Sequence, residues 1–292
     1  MTGDHNRAAL AHDERMGRLR MLALGLPALA VIVATVIAPI LRVLWLSLLD
    51  VSAGISLANY EVVLSQGANT TVIFTTLRVS LIVTVVSVLI GYPLTYFLVQ
   101  IPPRIATLCM IGIVLPYLTS VLVRTYAWMV LLGRHGIINN VLVDLGITSE
   151  PLQLIFNTTA TVIGMVHMML PLLVLPLYGS MRAIDRNCLR AAASLGAGPI
   201  TAFWKVWFRL SLPGLAAGTF LIFVISLGFF VTPTILGGGR VTMVAQQIAT
   251  IMTTYSGFGV ASALGIVLLF VVGAILIGVA RVTRVELVQV QS

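Results

Sequence analysis

Long apolar runs separated by short polar segments dominate the pattern of this chain. Six runs reach or exceed the roughly 20 residues that a helix needs to cross a bilayer, and they occupy residues 21–49, 71–99, 105–132, 159–180, 214–236 and 258–280. The bilayer interior offers the backbone no external hydrogen-bond partners, so each run is expected to be helical. The pattern therefore predicts an all-α, polytopic membrane protein with six transmembrane helices.

Glycine and proline residues lie in the polar breaks, where they favour the end of a helix. The Pro102-Pro103 pair follows the second run, and a glycine triplet at 237–239 follows the fifth. We therefore expect each run, including 105–132 and 214–236, to form one helix.

Composition agrees with this architecture and argues against other classes of protein. The chain has 292 residues, of which 59% are hydrophobic and 9% are charged, whereas soluble proteins use about 25% charged residues. Six crossings leave little sequence for a folded soluble domain, so an enzymatic site would have to lie in the membrane. Such a site needs a paired acid or a metal-binding cluster, and the sequence shows neither. Cys109 and Cys188 form no ligand cluster or disulfide framework.

Positive charges divide the polar segments into two groups. Cytoplasmic segments of membrane proteins are enriched in Lys and Arg. Most of the 17 basic residues lie in the N-terminal tail or after runs two, four and six: Arg7, Arg15, Arg18, Arg20, Arg104, Arg182, Arg186, Arg190, Lys205, Arg209, Arg281 and Arg284. The loops on the other side contain only Arg134 and Arg240. This distribution predicts cytoplasmic tails at 1–20 and 282–292, and it explains the net charge of +8 without a nucleic-acid partner.

The first apolar run, residues 21–49, is longer than the core of a signal peptide and ends without a small-residue cleavage site. We therefore expect it to remain as the first transmembrane helix.

Three arginines lie inside or at the edge of apolar runs, where a charge at the helix centre costs about 2.5–3.5 kcal/mol. Arg42 and Arg78 are interpreted as side chains that reach the outer interface. Arg124 lies in the middle of its run, among hydroxyl residues that can bond a guanidinium or a ligand. Two hypotheses stay open for Arg124: a structural ion of the bundle, or a residue of the translocation path.

The polar segment between the fourth and fifth runs, residues 181–213, has the pattern of two short helices. Asp185 is a suitable N-cap for the first helix, which is rich in alanine and should stop at Gly196, a residue that tolerates the left-handed conformation. Pro199 is favoured in the first turn of the second helix. We expect that helix to end at Pro213, where the fifth run begins.

Aromatic side chains recur in the second helix at spacings that place them on one face: Phe203, Trp204, Trp207 and Phe208. An exposed aromatic stripe beside an alanine-rich helix suits docking, because small side chains allow close approach and buried aromatics supply much of the energy of an interface. The alternative is a helix on the membrane surface with its tryptophans among the headgroups. The residues alone leave both hypotheses open.

The alanine-rich segment resembles a loop that is typical of one transporter family. Residues 190–197 and the later Leu-Pro pair at 212–213 resemble the Glu-Ala-Ala loop of permease subunits in binding-protein-dependent ABC importers. The alanines, Gly196 and the Leu-Pro pair match, whereas Arg190 stands where the family usually has Glu. The resemblance implies a type I importer permease domain over residues 70–281 in a bacterial inner membrane, with this segment as the cytoplasmic coupling loop.

Further stretches resemble the spermidine/putrescine permease subgroup of that family: Leu122 to Trp128, Gly136 to Asn139, Pro171 to Tyr178 and Phe230 to Gly238. The subgroup implies a small polar amine-type solute such as a polyamine. Since the intramembrane charges are all arginines, an anionic or zwitterionic solute stays open as an alternative, for example an opine, an amino acid derivative or an aminophosphonate.

The resemblance also implies partners, because the chain has no phosphate loop of its own for ATP. An ATPase dimer would bind ATP and magnesium, a second permease would complete the pore, and a periplasmic binding protein would deliver the small-molecule solute. The chain itself would be a non-catalytic permease without a cofactor. Contact with the ATPase is expected to involve Asp185, Arg190, Ala191, Ala192, Gly196, Phe203 and Trp204. The solute path is expected to involve Tyr117, Arg124, Tyr126 and Thr232.

Two other functions remain as alternatives. An ion-coupled secondary transporter would need acidic or histidine relays within its spans, and His167 is the one candidate there. A lone histidine is usually a hydrogen-bonded packing residue. A scaffold would dock a soluble partner through the aromatic helix without transporting anything.

Overall fold

The computed structural model describes the backbone of residues 3–50, 54–254 and 257–289. The helices in these residues are α1 (Gly3–Leu48), α2 (Ala58–Ser65), α3 (Gly67–Gln100), α4 (Pro103–Val114), α5 (Val121–Leu132), α6 (Ile137–Asp144), α7 (Thr158–Arg182), α8 (Arg186–Ser194), α9 (Pro199–Ala202), α10 (Phe208–Leu227), α11 (Val231–Leu236), α12 (Val244–Thr254) and α13 (Phe258–Gln289). A 3-10 turn spans Leu115–Leu118, and a wider π-helical turn spans Phe203–Trp207. Strands β1 (Leu49–Asp50) and β2 (Gly54–Ile55) form a small antiparallel hairpin. The predominance of helix confirms the predicted all-α class.

Several helices are long and apolar enough to cross a membrane: Gly25–Leu48, Gly67–Gln100, Thr158–Arg182, Pro199–Leu227 and Phe258–Gly278. Two further pieces, Pro103–Leu118 and Val121–Asp144, meet at an angle of 100°. Counted as one broken span, this pair brings the number of candidate crossings to six, as the apolar pattern predicts.

The prediction of a single helix over residues 105–132 is wrong. Thr119 and Ser120 are extended, and α5 starts at Val121. Pro116 has no N–H to continue a helix, and Thr119 donates to the Pro116 carbonyl from both its N–H (3.1 Å) and its hydroxyl (2.7 Å). The break is therefore hydrogen-bonded internally. The apolar pattern does not predict it, because the residues on both sides of the break are hydrophobic.

The helix boundary predicted at Pro213 is also wrong. The helix that begins at Pro199 continues through the π-helical turn and Pro213 to Leu227, a length of 29 residues. Proline is tolerated inside membrane helices where neighbouring helices pack closely and local adjustments satisfy the backbone. Next to Pro213, Gly214 packs so tightly on Ser180 of α7 that a larger side chain would collide with it. The end of the predicted fifth run forms the separate helix α11.

Three long helices, α3, α7 and α10, form the centre of the bundle. Leu173 of α7 is fully buried and fits between Gly91 of α3 and Gly218 of α10, where an added Cβ would meet its side chain at 2.7 and 2.8 Å. Small residues allow this close approach between membrane helices. The buried cluster around Leu173 also contains Val79, Val83, Met165, Met169 and Ile222.

The outer helices pack around this centre. α13 contacts α1, α2 and α12, and a second buried cluster includes Val63, Val244 and Leu264. The Thr76 hydroxyl of α3 accepts a hydrogen bond from the Val244 N–H at the start of α12 (2.9 Å). This bond ties α12 to the central helices.

Both expected tails are continuous with helices. α1 begins at Gly3 and α13 continues to Gln289, and the rest of the tails, residues 1–2 and 290–292, lies outside the described residues. Residues 181–213 lie at one end of the bundle, which we call the loop end. The hairpin of β1 and β2 lies at the opposite end.

Candidate functional site

The loop segment, residues 181–213, begins with a well-formed short helix. Oδ1 of Asp185 accepts a hydrogen bond from the Asn187 N–H (2.9 Å) at the start of α8. Such a cap satisfies an N–H group that the start of a helix leaves unpaired. The predicted N-cap at Asp185 is confirmed.

A Schellman motif ends α8. Gly196 has a φ of +83°, its N–H donates to the Ala193 carbonyl (3.0 Å), and the Ala197 N–H donates to the Ala192 carbonyl (3.0 Å). These two bonds satisfy carbonyls at the helix end, and they require a left-handed residue between them. A Cβ added to Gly196 would meet nothing within 4 Å. Backbone conformation, and not space within the chain, therefore selects glycine here.

The surface of α8 is open, since none of the side chains of this fully described helix is buried. Arg190 makes a long hydrogen bond (3.4 Å) to an asparagine of the same helix. Ala191 is exposed and Ala192 is half-buried. Leu195 at the end of α8 and Ile200 in the first turn of α9 are 88% and 76% exposed. Exposed apolar side chains at a turn between two helices form a surface suited to a protein partner.

The predicted aromatic stripe is divided between two roles. Trp204 is 57% exposed, whereas Trp207 is 3% exposed. The ring of Tyr96 on α3 lies edge-on to Phe203 (5.3 Å between centroids) and to Trp207 (5.4 Å). Phe203 and Trp207 therefore attach the loop segment to the bundle. The expectation of a wholly exposed stripe is corrected, because α3 supplies aromatic partners that the local pattern does not contain.

A second polar group lies inside the bundle, next to the break between α4 and α5. Arg124 is 7% exposed, whereas Arg42 and Arg78 are exposed. Cζ of Arg124 lies 5.4 Å from the centroid of the Tyr117 ring, which is a cation–π distance. Its Nε has no hydrogen-bond partner among the described residues. An aromatic face thus holds this buried charge, and part of its hydrogen-bonding capacity is unused.

Neighbouring side chains extend this group to two more helices. The hydroxyls of Thr125 and Thr232 lie 3.2 Å apart and link α5 to α11. Trp128 is one turn from Arg124, and its Nε1 donates to Nδ1 of His167 on α7 (3.3 Å). The interpretation of His167 as a hydrogen-bonded packing residue is confirmed. We call Tyr117, Arg124, Thr125, Trp128, His167 and Thr232 the membrane polar cluster.

The structure brings together three of the four residues expected along the solute path. Tyr117 contacts Arg124 directly, and Thr232 joins them through Thr125, the neighbour of Arg124. Tyr126 is 52% exposed and lies two residues from Arg124, which places it on a different face of α5.

Three members of the cluster, Thr125, Trp128 and His167, were not among the residues expected along the solute path. The spacing of four residues between Arg124 and Trp128 was the available signal. This spacing shows that Arg124 and Trp128 share one face of a helix, but not which helix that face contacts. The contact becomes clear only when α5 is known to begin at Val121.

Comparisons with known proteins agree with this geometry. The family model described as "Binding-protein-dependent transport system inner membrane component" matches residues 89–283. The spermidine/putrescine transport system permease protein PotB of Haemophilus influenzae is 35% identical over 200 residues, which cover 68% of this chain and 70% of that protein. PotB of Escherichia coli is 30% identical over 213 residues, covering 73% and 78%. The resemblance predicted from the motifs is confirmed.

A solved structure shows the same fold with little sequence identity. In the bacterial alginate ABC transporter in complex with an alginate pentasaccharide-bound periplasmic protein, one chain superposes with a TM-score of 0.71 at 13% identity, covering 91% of this chain and 94% of that one. The likeness shows that the two chains share a fold. Because that transporter carries an acidic polysaccharide, the fold alone does not identify a solute.

Proposed function

We infer that this chain, which belongs to the family of binding-protein-dependent transport system inner membrane components, is the permease subunit of an ATP-driven importer for polyamines. The observation that carries the inference is the 35% identity to a spermidine/putrescine permease over two thirds of the chain. The aligned length far exceeds the loop segment, so the likeness does not rest on one motif.

For the solute, the chain offers aromatic and hydroxyl groups rather than acids. No Asp or Glu lies within the six apolar runs, whereas ammonium groups are held by carboxylates or aromatic faces. Tyr126 is 52% exposed and supplies one such face, whereas the Tyr117 ring already holds the Arg124 guanidinium. Carboxylates that neutralise a polyamine would come from the second permease subunit.

Transport by the assembled importer tests this function. The chain would be reconstituted in proteoliposomes with its ATPase, the second permease and the solute-binding protein, and uptake of labelled spermidine and putrescine would be measured. We expect uptake to require ATP and the binding protein. Equal uptake without the ATPase would contradict an ATP-driven importer, and ATP-driven uptake of other solutes with none of either polyamine would contradict the solute.

The loop segment is proposed as the contact with the ATPase, which places the loop end and both termini in the cytoplasm. Support comes from the open surface of α8 and from the exposed Leu195, Ile200 and Trp204. Asp185 and Gly196 hold the shape of this surface through the two helix ends. At position 190 the family usually has a glutamate, whereas this chain would present an arginine to the ATPase.

The connection from this surface to the spans is short and well packed. α8 follows α7 after residues 183–185, and the aromatic contacts of Phe203 and Trp207 fasten the following helix to α3. Movement of α8 with the ATPase, which binds ATP and magnesium, would therefore tilt α7 and α10 together. This is alternating access, in which nucleotide biases two arrangements of one bundle.

At the opposite end, the periplasmic binding protein would dock on the loops at 133–158 and 237–257. Support comes from the alginate transporter, whose solved structure contains its periplasmic protein. In this chain Arg134 lines a cleft with Pro151, Leu152, Gln153 and Ile155 in that region. A cleft at the mouth of the bundle is a suitable place for a docked loop.

A second candidate solute has a carboxylate or phosphonate group. The specific observation in its favour is Arg124, a buried guanidinium with an unused Nε at the first turn of α5. The N-cap Ser120 makes no side-chain hydrogen bond, so the start of α5 also presents free N–H groups to an anion. Competition between spermidine and an opine or aminophosphonate, measured as inhibition of uptake, distinguishes the two solutes.

A further inference from the structure

A cavity of about 250 Å³ lies at the loop end, between the loop segment and the ends of the central helices. The ends of α3 and α7 and the starts of α4 and α8 surround it. Leu98 and Met181 are among its apolar walls, and Tyr178, Arg182, Arg186 and Trp207 are its polar or amphipathic residues. The volume is below the roughly 300–1,000 Å³ of pockets for drug-sized ligands, so a small group fits better than a whole solute.

The charge of this cavity is positive. Arg182 and Arg186 are both exposed at its rim, and the Arg182 Nη1 donates to the Tyr178 hydroxyl (2.6 Å), which leaves its other donors available. The nearby carboxylate of Asp185 is engaged as the N-cap of α8. Two guanidinium groups at one opening favour a phosphate, which they bind through paired N–H donors.

The start of α4 adds to this preference. Pro103, its first residue, lines the cavity, and Pro102 at the N-cap provides no side-chain hydrogen bond. The following N–H groups lack a capping side chain, and the positive end of the helix dipole lies beside the two arginines.

The indole of Trp207 forms part of the cavity wall. This residue is 3% exposed, and its Nε1 finds no hydrogen-bond partner in the described part of the chain. The Nε1 atom itself has almost no accessible surface, so a ligand in the cavity would reach it only after the ring shifts. The case for an anion therefore depends on the two arginines and the start of α4.

We propose that this cavity binds the phosphate group of an anionic phospholipid from the leaflet at the loop end. The apolar walls of the cavity would accommodate glycerol and the first acyl carbons, and basic pockets between membrane helices are suited to lipid headgroups. Free phosphate shares the charge but gains nothing from those walls. The zwitterionic headgroup of phosphatidylethanolamine would bring an ammonium group close to the arginines.

Because the two arginines lie on either side of a turn, a bound lipid would restrict movement between α7 and α8. Arg182 is the last residue of α7 and Arg186 the first of α8, on either side of the turn at 183–185. One phosphate held by both side chains bridges this turn. Bound lipid therefore stiffens the corner through which movement of α8 reaches the spans.

Lipid binding to the purified full-length chain tests the proposal. Retention of phosphatidylglycerol and of phosphatidylethanolamine would be titrated in detergent by native mass spectrometry, for the wild type and for Arg182→Gln, Arg186→Gln and the double variant. Each arginine that contacts the headgroup is expected to contribute about fivefold in affinity, so the double variant should lose about 25-fold. Arg209→Gln, an exposed arginine of α10 outside the cavity, is the matched control and should leave retention unchanged.

Each result decides for or against a lipid phosphate site. Unchanged binding in the double variant, or an equal loss in Arg209→Gln, overturns it. Equal retention of both lipids by the wild type also overturns it and needs no variant to fold. If inorganic phosphate alone binds with the same dependence on both arginines while phosphatidylglycerol does not, the anion chemistry stands and the lipid source is wrong.

Discussion

The loop segment and the membrane polar cluster are built in opposite ways. In α8 the backbone ends are satisfied by Asp185 and by the Schellman motif at Gly196, while the side chains remain open. In the membrane polar cluster Arg124, Thr125 and Thr232 are buried, yet Nε of Arg124 has no partner in the described chain. The backbone of α8 is thus ordered by its own hydrogen bonds while its surface is open. Arg124, in contrast, is a buried charge with an unsatisfied hydrogen-bond donor. Mutations should therefore act through shape in one and through chemistry in the other.

The largest effect is expected from Gly196→Asp, which should abolish uptake while the protein still inserts. A Cβ at position 196 meets nothing within 4 Å, so the carboxylate would project from the turn toward the proposed contact with the ATPase, with backbone strain of about 1–2 kcal/mol from the left-handed φ. ATP-dependent uptake and membrane insertion would be measured side by side.

Gly54→Asp is the matched control, because Gly54 also has a positive φ (+73°) and open space around it, but lies at the opposite end. It should retain uptake. Loss in both variants would assign the effect to backbone strain, and normal coupled hydrolysis in Gly196→Asp would refute the coupling role.

Substitution of two tryptophans of the loop segment distinguishes attachment to the bundle from docking on the ATPase. Trp207→Ala should lower the stability of the chain by about 3 kcal/mol, because a buried ring is lost from the contact with Tyr96. Trp204→Ala should leave stability nearly unchanged and weaken retention of the ATPase by more than about 1 kcal/mol. Thermal unfolding and co-purification measure the two quantities. Equal destabilisation by both variants would show that the stripe has no docking part.

Removal of the buried charge of Arg124 tests the role of the membrane polar cluster. Arg124→Ala should reduce uptake about tenfold, a loss of ~1.4 kcal/mol, without reducing assembly. Arg78→Ala removes an exposed arginine from a span and serves as the control. Uptake rates and the yield of assembled complex would be compared. A fall in assembly yield alone would favour a structural ion.

The smallest effect is expected at the cap of α8. Asp185→Ala should destabilise the helix by about 1 kcal/mol, whereas Asp185→Asn keeps an acceptor for the Asn187 N–H and should cost little. Partial loss of coupled hydrolysis in the alanine variant, with recovery in the asparagine variant, is the expected pattern. Equal loss in both would indicate that the negative charge contacts the partner.

The loop segment was predictable in detail where its structure is local. The cap at Asp185, the turn at Gly196 and the helix start at Pro199 depend on residues a few positions apart, and all three are confirmed. The burial of Trp207 was not predictable, because its partner Tyr96 is remote in sequence. The aromatic spacing is the same whether the ring faces a partner protein or α3.

Prolines within the spans also show that residue type alone does not predict where a helix breaks. Pro116 accompanies a break of 100°, whereas Pro213 lies inside a continuous helix. Both lack an N–H, but Thr119 closes the break after Pro116, and the close contact of Gly214 with α7 accompanies the continuous helix. The residue type alone could not separate these outcomes.

By itself, the sequence determined the membrane class, the number of spans and helix α8 with its two ends, because these depend on hydrophobic length and on hydrogen bonds between near neighbours. Only the tertiary structure decided that Arg124 lies beside a broken helix in contact with Tyr117, and that Trp207 is an anchor. Burial and pairing across helices depend on which surfaces meet. That is a property of the packed bundle and not of any single segment.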